Sequence, residues 1–191
     1  MLARGDKLLV ATHNCGKLEE IADLLAPFGV SVVGAAELGL PEPEETETTF
    51  IGNARLKAHA AAKASCLVAL ADDSGLAVDA LGGAPGVFTA DWATVAQGRD
   101  FGVGMERVWR ELEAAGALEP RRAQFCCTLV LAAPSGEDLV FEGKSHGRLV
   151  WPGRGAQGHG FDPIFMPDGY SQTFGEMDRW EKNRLSHRAD A

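Results

Sequence analysis

No apolar run in this sequence is long enough to cross a bilayer. The longest, Cys66 to Ala71 and Phe125 to Ala133, fall well short of the roughly 20 residues a membrane-spanning helix needs, so no membrane partner is expected. The four cysteines, Cys15, Cys66, Cys126 and Cys127, have neither C-x-x-C spacing nor a Cys/His cluster around them. This excludes a zinc or dithiol motif and leaves free thiols. A basic excess is also missing. The formal net charge is -9 with Lys and Arg dispersed, which argues against nucleic acid as a partner. The leading residues Met1 to Asp6 run straight into an apolar strand, without a signal peptide's hydrophobic region or cleavage site. A cytoplasmic location is therefore expected. Neither an internal repeat nor a low-complexity segment is present.

What remains is an ordinary globular composition, 46% hydrophobic and 24% charged over 191 residues, enough to bury a core within one folding unit, 1–191. Lys7 to Ala11 reads as a buried strand. After the polar stretch Thr12 to Gly16, Leu18, Ile21, Leu24 and Leu25 recur at helical spacing. Val30 to Val33 is a second strand, followed by the acidic Pro/Glu loop Leu40 to Glu45. An Ala-rich helix from about Thr49 to Ser65 leads to a strand, Leu67 to Ala71, whose end delivers Asp72-Asp73-Ser74-Gly75. Phe101 to Ala115 reads as a helix, with Met105, Trp109 and Leu112 as core positions. Ala123 to Ala133, Asp138 to Glu142 and Gly147 to Trp151 read as strands of an antiparallel lobe. Thr173 and Glu176 form an S/T-x-x-E pattern that predicts the start of a final helix carrying Lys182, His187 and Arg188. Strands alternating with helices, then hairpins, indicate an α/β fold with a mixed twisted sheet flanked by helices.

Three segments carry candidate chemistry. Thr12 to Lys17 joins a strand to a helix through small and polar residues, so exposed backbone N–H groups and the helix dipole favour an anion. Lys17 adds a positive charge. The segment lacks the P-loop pattern, and taken singly it fits a capped helix with a solvated lysine better. Asp72-Asp73-Ser74-Gly75 brings two carboxylates and a hydroxyl together. With Glu44 or Glu45 they suit magnesium, which prefers one or two carboxylates plus phosphate oxygens; the plain alternative is a turn closing a strand. The glycine-rich run Gly153 to Asp162, with Lys182, His187 and Arg188, allows close backbone approach to a ligand. Phe161 would stack on a base and Asp162 accept hydrogen bonds from it; taken singly, Phe161 reads more simply as core, His187 as a satisfied surface histidine, and Lys182 with Arg188 as a solvated helix face.

Taken together, A-T-H-N-C-G-K-L-E-E, E-E-T-E-T-T-F-I-G-N-A-R-L-K-A, A-D-D-S-G-L-A-V-D-A-L-G-G-A-P-G, G-H-G-F-D-P-I-F and E-K-N-R-L-S-H-R resemble, in that order and over nearly the whole chain, the inosine triphosphate pyrophosphatase family. The resemblance implies hydrolysis of non-standard purine nucleoside triphosphates to the monophosphate and pyrophosphate, with Mg2+ as cofactor, a homodimer, and two lobes with the active-site cleft between them. It implies that Thr12, His13, Asn14, Cys15, Gly16 and Lys17 hold the triphosphate, and that Ser74 contacts substrate. Asp73 would be base and metal ligand, with Asp72 as the other candidate base. Glu44 or Glu45 would complete the metal site. His159, Gly160, Phe161, Asp162, Lys182, His187 and Arg188 would bind the purine.

The chain departs from the family's usual pattern in three places. His159-Gly160-Phe161-Asp162 stands where F-G-Y-D is commoner, Glu45-Thr46-Glu47 where E-T-G is frequent, and the chain ends at Ala191 where relatives usually continue. Two rivals share the general chemistry. A Maf-like pyrophosphatase would open on S-x-S-P-R-R, which Thr12 to Lys17 does not match, and a noncatalytic nucleotide sensor would bind without turnover.

Overall fold

The computed structural model describes residues 5–191; Met1 to Arg4, part of the leading segment read above, lie outside the described residues. Six strands form one sheet in the order β2-β1-β3-β6-β7-β8. They are β1 (Lys7–Val10), β2 (Ser31–Gly34), β3 (Ala69–Val78), β6 (Arg122–Ala132), β7 (Asp138–Leu149) and β8 (Phe165–Pro167). β4 (Thr94–Val95) and β5 (Gly98–Arg99) make a separate antiparallel pair. β1 lies parallel to both β2 and β3, with Leu9 opposite Val33 and Ala69. β7 runs antiparallel to β8, with Arg148 opposite Met166. The sheet is therefore mixed, as expected.

Among the described residues no helix is long and apolar enough to cross a membrane. Helix α1 (Cys15–Leu25) is capped by Asn14, α2 (Phe50–Ser65) by Thr49, and α3 (Phe101–Ala114) by Asp100. Each cap accepts a first-turn N–H that would otherwise lack a partner. The chain divides into two compact units: one running through Asp73 with Cys127–Glu142 and Ala191, the other of Ser74–Cys126 and Gly143–Asp190.

In the first unit an alanine face of α2, formed by Ala54, Ala58, Ala61 and Ala62, packs with Leu9, Ala69, Ala71, Val130 and Ala132. Small side chains on both partners let helix and sheet approach closely. Leu8, Val10, Ile21 and Leu70 form a second cluster with residues of α1. Successive side chains of a strand point to opposite faces. Ala69 and Ala71 thus belong to the α2 face of β3 and Leu70 to the α1 face. The second unit is built on Leu76, Val108, Leu112, Phe125, Phe161, Phe165 and Phe174, with Phe125 and Phe165 centroids 4.7 Å apart.

Three expected boundaries differ. β3 does not end at Ala71 but continues through Asp72-Asp73-Ser74-Gly75 to Val78, so the carboxylates lie inside a strand rather than in a turn beyond it. The two strands read after Pro134 are one continuous β7. The last helix does not start at Thr173. Glu176 does accept the Thr173 N–H at 2.8 Å, but the Thr173 hydroxyl donates to the Arg154 carbonyl and caps nothing. α4 (Arg179–Leu185) begins after the N-cap Asp178, and extended Ser186 separates it from α5 (His187–Asp190).

Candidate active site: a cluster of carboxylates and lysines

The strand alternation that sorts the core also separates the two aspartates. Asp72 falls on the α1 face, where Lys17 meets its Oδ1 and the Cys127 thiol lies 3.3 Å from its Oδ2. Asp73 falls on the α2 face. Its Oδ2 accepts a hydrogen bond from Asn53 Nδ2 at 3.3 Å, and its Oδ1 lies 3.5 Å from Lys57 Nζ. Lys57 also contacts Glu45 Oε1; Glu44 and Glu45 are both exposed residues, and this contact sets Glu45 apart. Asn53 and Lys57 are one helical turn apart, on the same buried face of α2 as the alanines. Three carboxylates and two ammonium groups thus meet where the acidic loop, α1, α2 and β3 converge.

Burial is the largest influence on Asp73 and raises its pKa. Lys57 and Lys17 pull it back, Glu45 and Asp72 push it further up, and it comes to about 6. For Lys57 burial acts downward, but Asp73 and Glu45 outweigh it and the pKa rises. Lys57 is therefore an ammonium ion beside a carboxylate that titrates close to neutrality. Any hard cation attracted to Glu45 and Asp73 would share that space with Lys57. Among the described residues no group of three or more His, Cys, Asp or Glu side chains is spaced to hold a metal on its own. Magnesium does not require such a cage, because it ordinarily takes one or two carboxylates and completes its shell with water and phosphate oxygens. The oxygen donors present fit it.

Of the N-terminal loop, Asn14 Oδ1 accepts the Lys17 N–H, and the Thr12 hydroxyl accepts the Asn14 N–H, both at 3.1 Å. These side chains shape the loop. The N–H groups of Cys15 and Gly16 occupy the first turn of α1, the end that attracts anions. His13 points elsewhere: its Nε2 lies 2.9 Å from the Leu40 carbonyl oxygen, so it ties this loop to the start of the acidic one. Glu47 stands where the family often has glycine, yet its backbone needs no left-handed conformation; among the described residues Cys66 is the non-glycine residue with positive φ.

In the second unit Ser74 pairs with Arg188 and Asp162 with Lys182. Arg188 Nη2 lies 3.3 Å from Ser74 Oγ, and His187 stacks on Phe125 with centroids 5.0 Å apart. Asp162 accepts from Lys182 Nζ and from the His159 backbone N–H, both at 2.7 Å. Those bonds fold the Gly158 to Gly160 turn over the carboxylate. The stacking face expected of Phe161 is not presented: its ring is 1% exposed, set edge-on to Phe101, with Gly104 too close to it to carry a Cβ. His159 is the exposed ring of this loop.

Sequence reasoning missed Asn53 and Lys57. Their signal was a polar pair at i and i+4 on an otherwise alanine face, a position where an amide and an ammonium group need partners.

A mixed sheet with carboxylate and ammonium side chains gathered beside its parallel strands is the arrangement of a nucleotide- or phosphate-binding α/β protein. The comparisons narrow this further. Residues 8–191 match the Ham1 family, and the chain belongs to it. A relative from Ruegeria pomeroyi named dITP/XTP pyrophosphatase is 67% identical over 187 residues, covering 98% of this chain and 92% of the relative. One of the same name from Rhodospirillum centenum is 58% identical over 187 residues, covering 98% and 91%. Among solved structures, a HAM1 protein from Coxiella burnetii superposes with a TM-score of 0.87 at 36% identity, covering 96% of this chain and 93% of that one. The Staphylococcus aureus Ham1 protein gives 0.83 at 34%, covering 97% and 93%.

Proposed function

We propose that this chain is a nucleoside triphosphate pyrophosphohydrolase that converts the non-standard purine triphosphates dITP, ITP and XTP to monophosphate and pyrophosphate, cleansing the nucleotide pool. The names of the Ruegeria and Rhodospirillum relatives support the substrate class. The observation that carries the reading is the cluster of Asp73, Lys57, Asn53 and Glu45. It combines a base that titrates near neutrality with cations for phosphate.

Water attacks the α-phosphorus, the bond to the α–β bridging oxygen breaks, and pyrophosphate leaves. Asp73 takes the proton from water. In the metal-free fold its pKa is about 6, so it is ionised at neutral pH, and Mg2+ held beside it would lower its basicity and keep it ionised. Asp72 suits the role less, because Lys17 and Cys127 engage its two oxygens. Glu45 and Asp73 would hold Mg2+, which when bound supplies charge neutralisation to the phosphates. Glu45 is preferred to Glu44 because it reaches Lys57. Lys17, Lys57 and the first N–H groups of α1 receive the triphosphate, with Thr12 and Asn14 shaping that loop and His13 anchoring it. Lys17 exchanges Asp72 for phosphate when substrate arrives.

Recognition of the base falls to Ser74, His159, Gly160, Asp162, Lys182, His187 and Arg188, with the exposed His159 ring lying against the purine and Phe161 supporting the loop from within. On this reading residues 1–191 are one catalytic domain of a cytoplasmic homodimer, a state light scattering would check. Pyrophosphate release from dITP with Mg2+ and after chelation tests the function. Release that persists without divalent cation, or binding of dITP without release, would sink it. Turnover restricted to modified pyrimidine triphosphates would favour the Maf-like alternative.

A further inference from the structure

Asn53 is 2% exposed and uses both ends of its side-chain amide on different segments. Its Nδ2 donates to Asp73 Oδ2 at 3.3 Å, and its Oδ1 accepts the backbone N–H of Glu47 at 3.0 Å. Glu47 lies two residues beyond Glu45, so one side chain joins the strand carrying Asp73 to the loop carrying Glu45. A second, independent contact holds the same loop. A Cβ on Gly52 would lie 2.6 Å from Glu47 Cβ and 2.8 Å from its Cγ. Gly52 sits in the first turn of an alanine-rich helix, where alanine would favour the helix, and glycine leaves the space into which Glu47 packs.

We infer that Asn53 is a positioning residue that fixes the spacing between Glu45 and Asp73, with Gly52 providing the seat for the loop it holds. This rests on the proposed function for the identity of the cation, but not for the clamp itself. Asn53 acts through the two segments it joins. Lost outer-shell hydrogen bonds commonly weaken metal affinity about 10- to 100-fold, and the effect here should fall within that range.

The test uses the full chain and three variants: Asn53→Ala, which removes both bonds; Asn53→Asp, which keeps an acceptor for Glu47; and Gly52→Ala, which leaves Asn53 in place but displaces Glu47. Hydrogen exchange at the Glu47 amide reads the clamp without any activity measurement. Protection should be lost in Asn53→Ala and Gly52→Ala and retained in Asn53→Asp. Calorimetric titration with Mg2+ should give about 10-fold or weaker binding for Asn53→Ala and Gly52→Ala, and raised Mg2+ should recover most of kcat on dITP with little change in KM. Unchanged Glu47 protection in Asn53→Ala, or unchanged Mg2+ affinity in both Asn53→Ala and Gly52→Ala, would overturn the inference. Wild-type protein that neither binds Mg2+ nor releases pyrophosphate would instead refute the proposed function, while the exchange measurement would still decide the clamp.

Discussion

Replacing Asp73 by asparagine should stabilise the metal-free protein at the same time as it abolishes turnover. An Asp in an unfolded chain titrates near 3.8, whereas in the fold Asp73 titrates at about 6. Between those values the folded state holds a proton that the unfolded state has released. The contribution of this group to stability is therefore fully present below about pH 4 and is lost as pH rises through about 6. Above that, the ionised side chain is carried at a cost of about two pKa units, or about 3 kcal/mol at about 1.4 kcal/mol per unit. Asparagine has the shape of the aspartate without its charge, and Lys57 keeps Glu45 as partner. For a chain of this size 1 kcal/mol moves Tm by about 2–4 °C, so Asp73→Asn should melt about 6–12 °C higher than the wild type at pH 8 in chelator. The gain should shrink toward zero near pH 4. Mg2+ should raise the wild-type Tm and leave the variant's almost unchanged. Differential scanning calorimetry across pH decides it: a variant no more stable than wild type at pH 8 would refute the reasoning that burial, opposed by Lys57, sets the Asp73 equilibrium.

Lys17→Ala should raise KM for dITP and lower kcat/KM by about tenfold or more, since the charge that meets Asp72 is the one offered to phosphate; steady-state kinetics at fixed free Mg2+ would detect it. His159→Ala should raise KM for dITP, with His159→Phe restoring it, because a flat face there is what the base needs; equal KM values in all three proteins would remove His159 from the site. Donors such as Arg188 and Lys182, aimed at a 6-keto oxygen, should make kcat/KM for dITP and XTP exceed that for ATP by about 10³ or more. Arg188→Ala should narrow this gap by impairing the good substrates, and comparable efficiency on ATP in the unmodified protein would end the base-reading account.

Where apolar period and capping residues agree, the sequence is legible. α2 and α3 fall within a residue or two of their expected limits, and in the fold Thr49 and Asp100 cap them. The errors have local causes. β3 appeared to stop at Ala71 because Asp72, Asp73 and Ser74 resemble a turn; their burial depends on lysines and an arginine far away in sequence. The false start at Thr173 arose from a pattern whose hydroxyl bonds a distant loop instead. Glu44 and Glu45 could not be distinguished without Lys57, and Phe161 looked like a stacking surface because nothing in the sequence reveals that Phe101 and Gly104 enclose it.

The alanine face of α2 acts as a gauge block for the chemistry. Ala54, Ala58, Ala61 and Ala62 set how near the helix axis lies to the sheet, and Asn53 and Lys57 ride on that same face. A branched side chain at Ala58 would lift the helix like a shim, carrying the ammonium group of Lys57 away from Asp73 without touching either residue. Loss-of-function substitutions in this enzyme should therefore include methyl-sized changes deep in a dry interior, at positions that no search confined to ligand contacts would select.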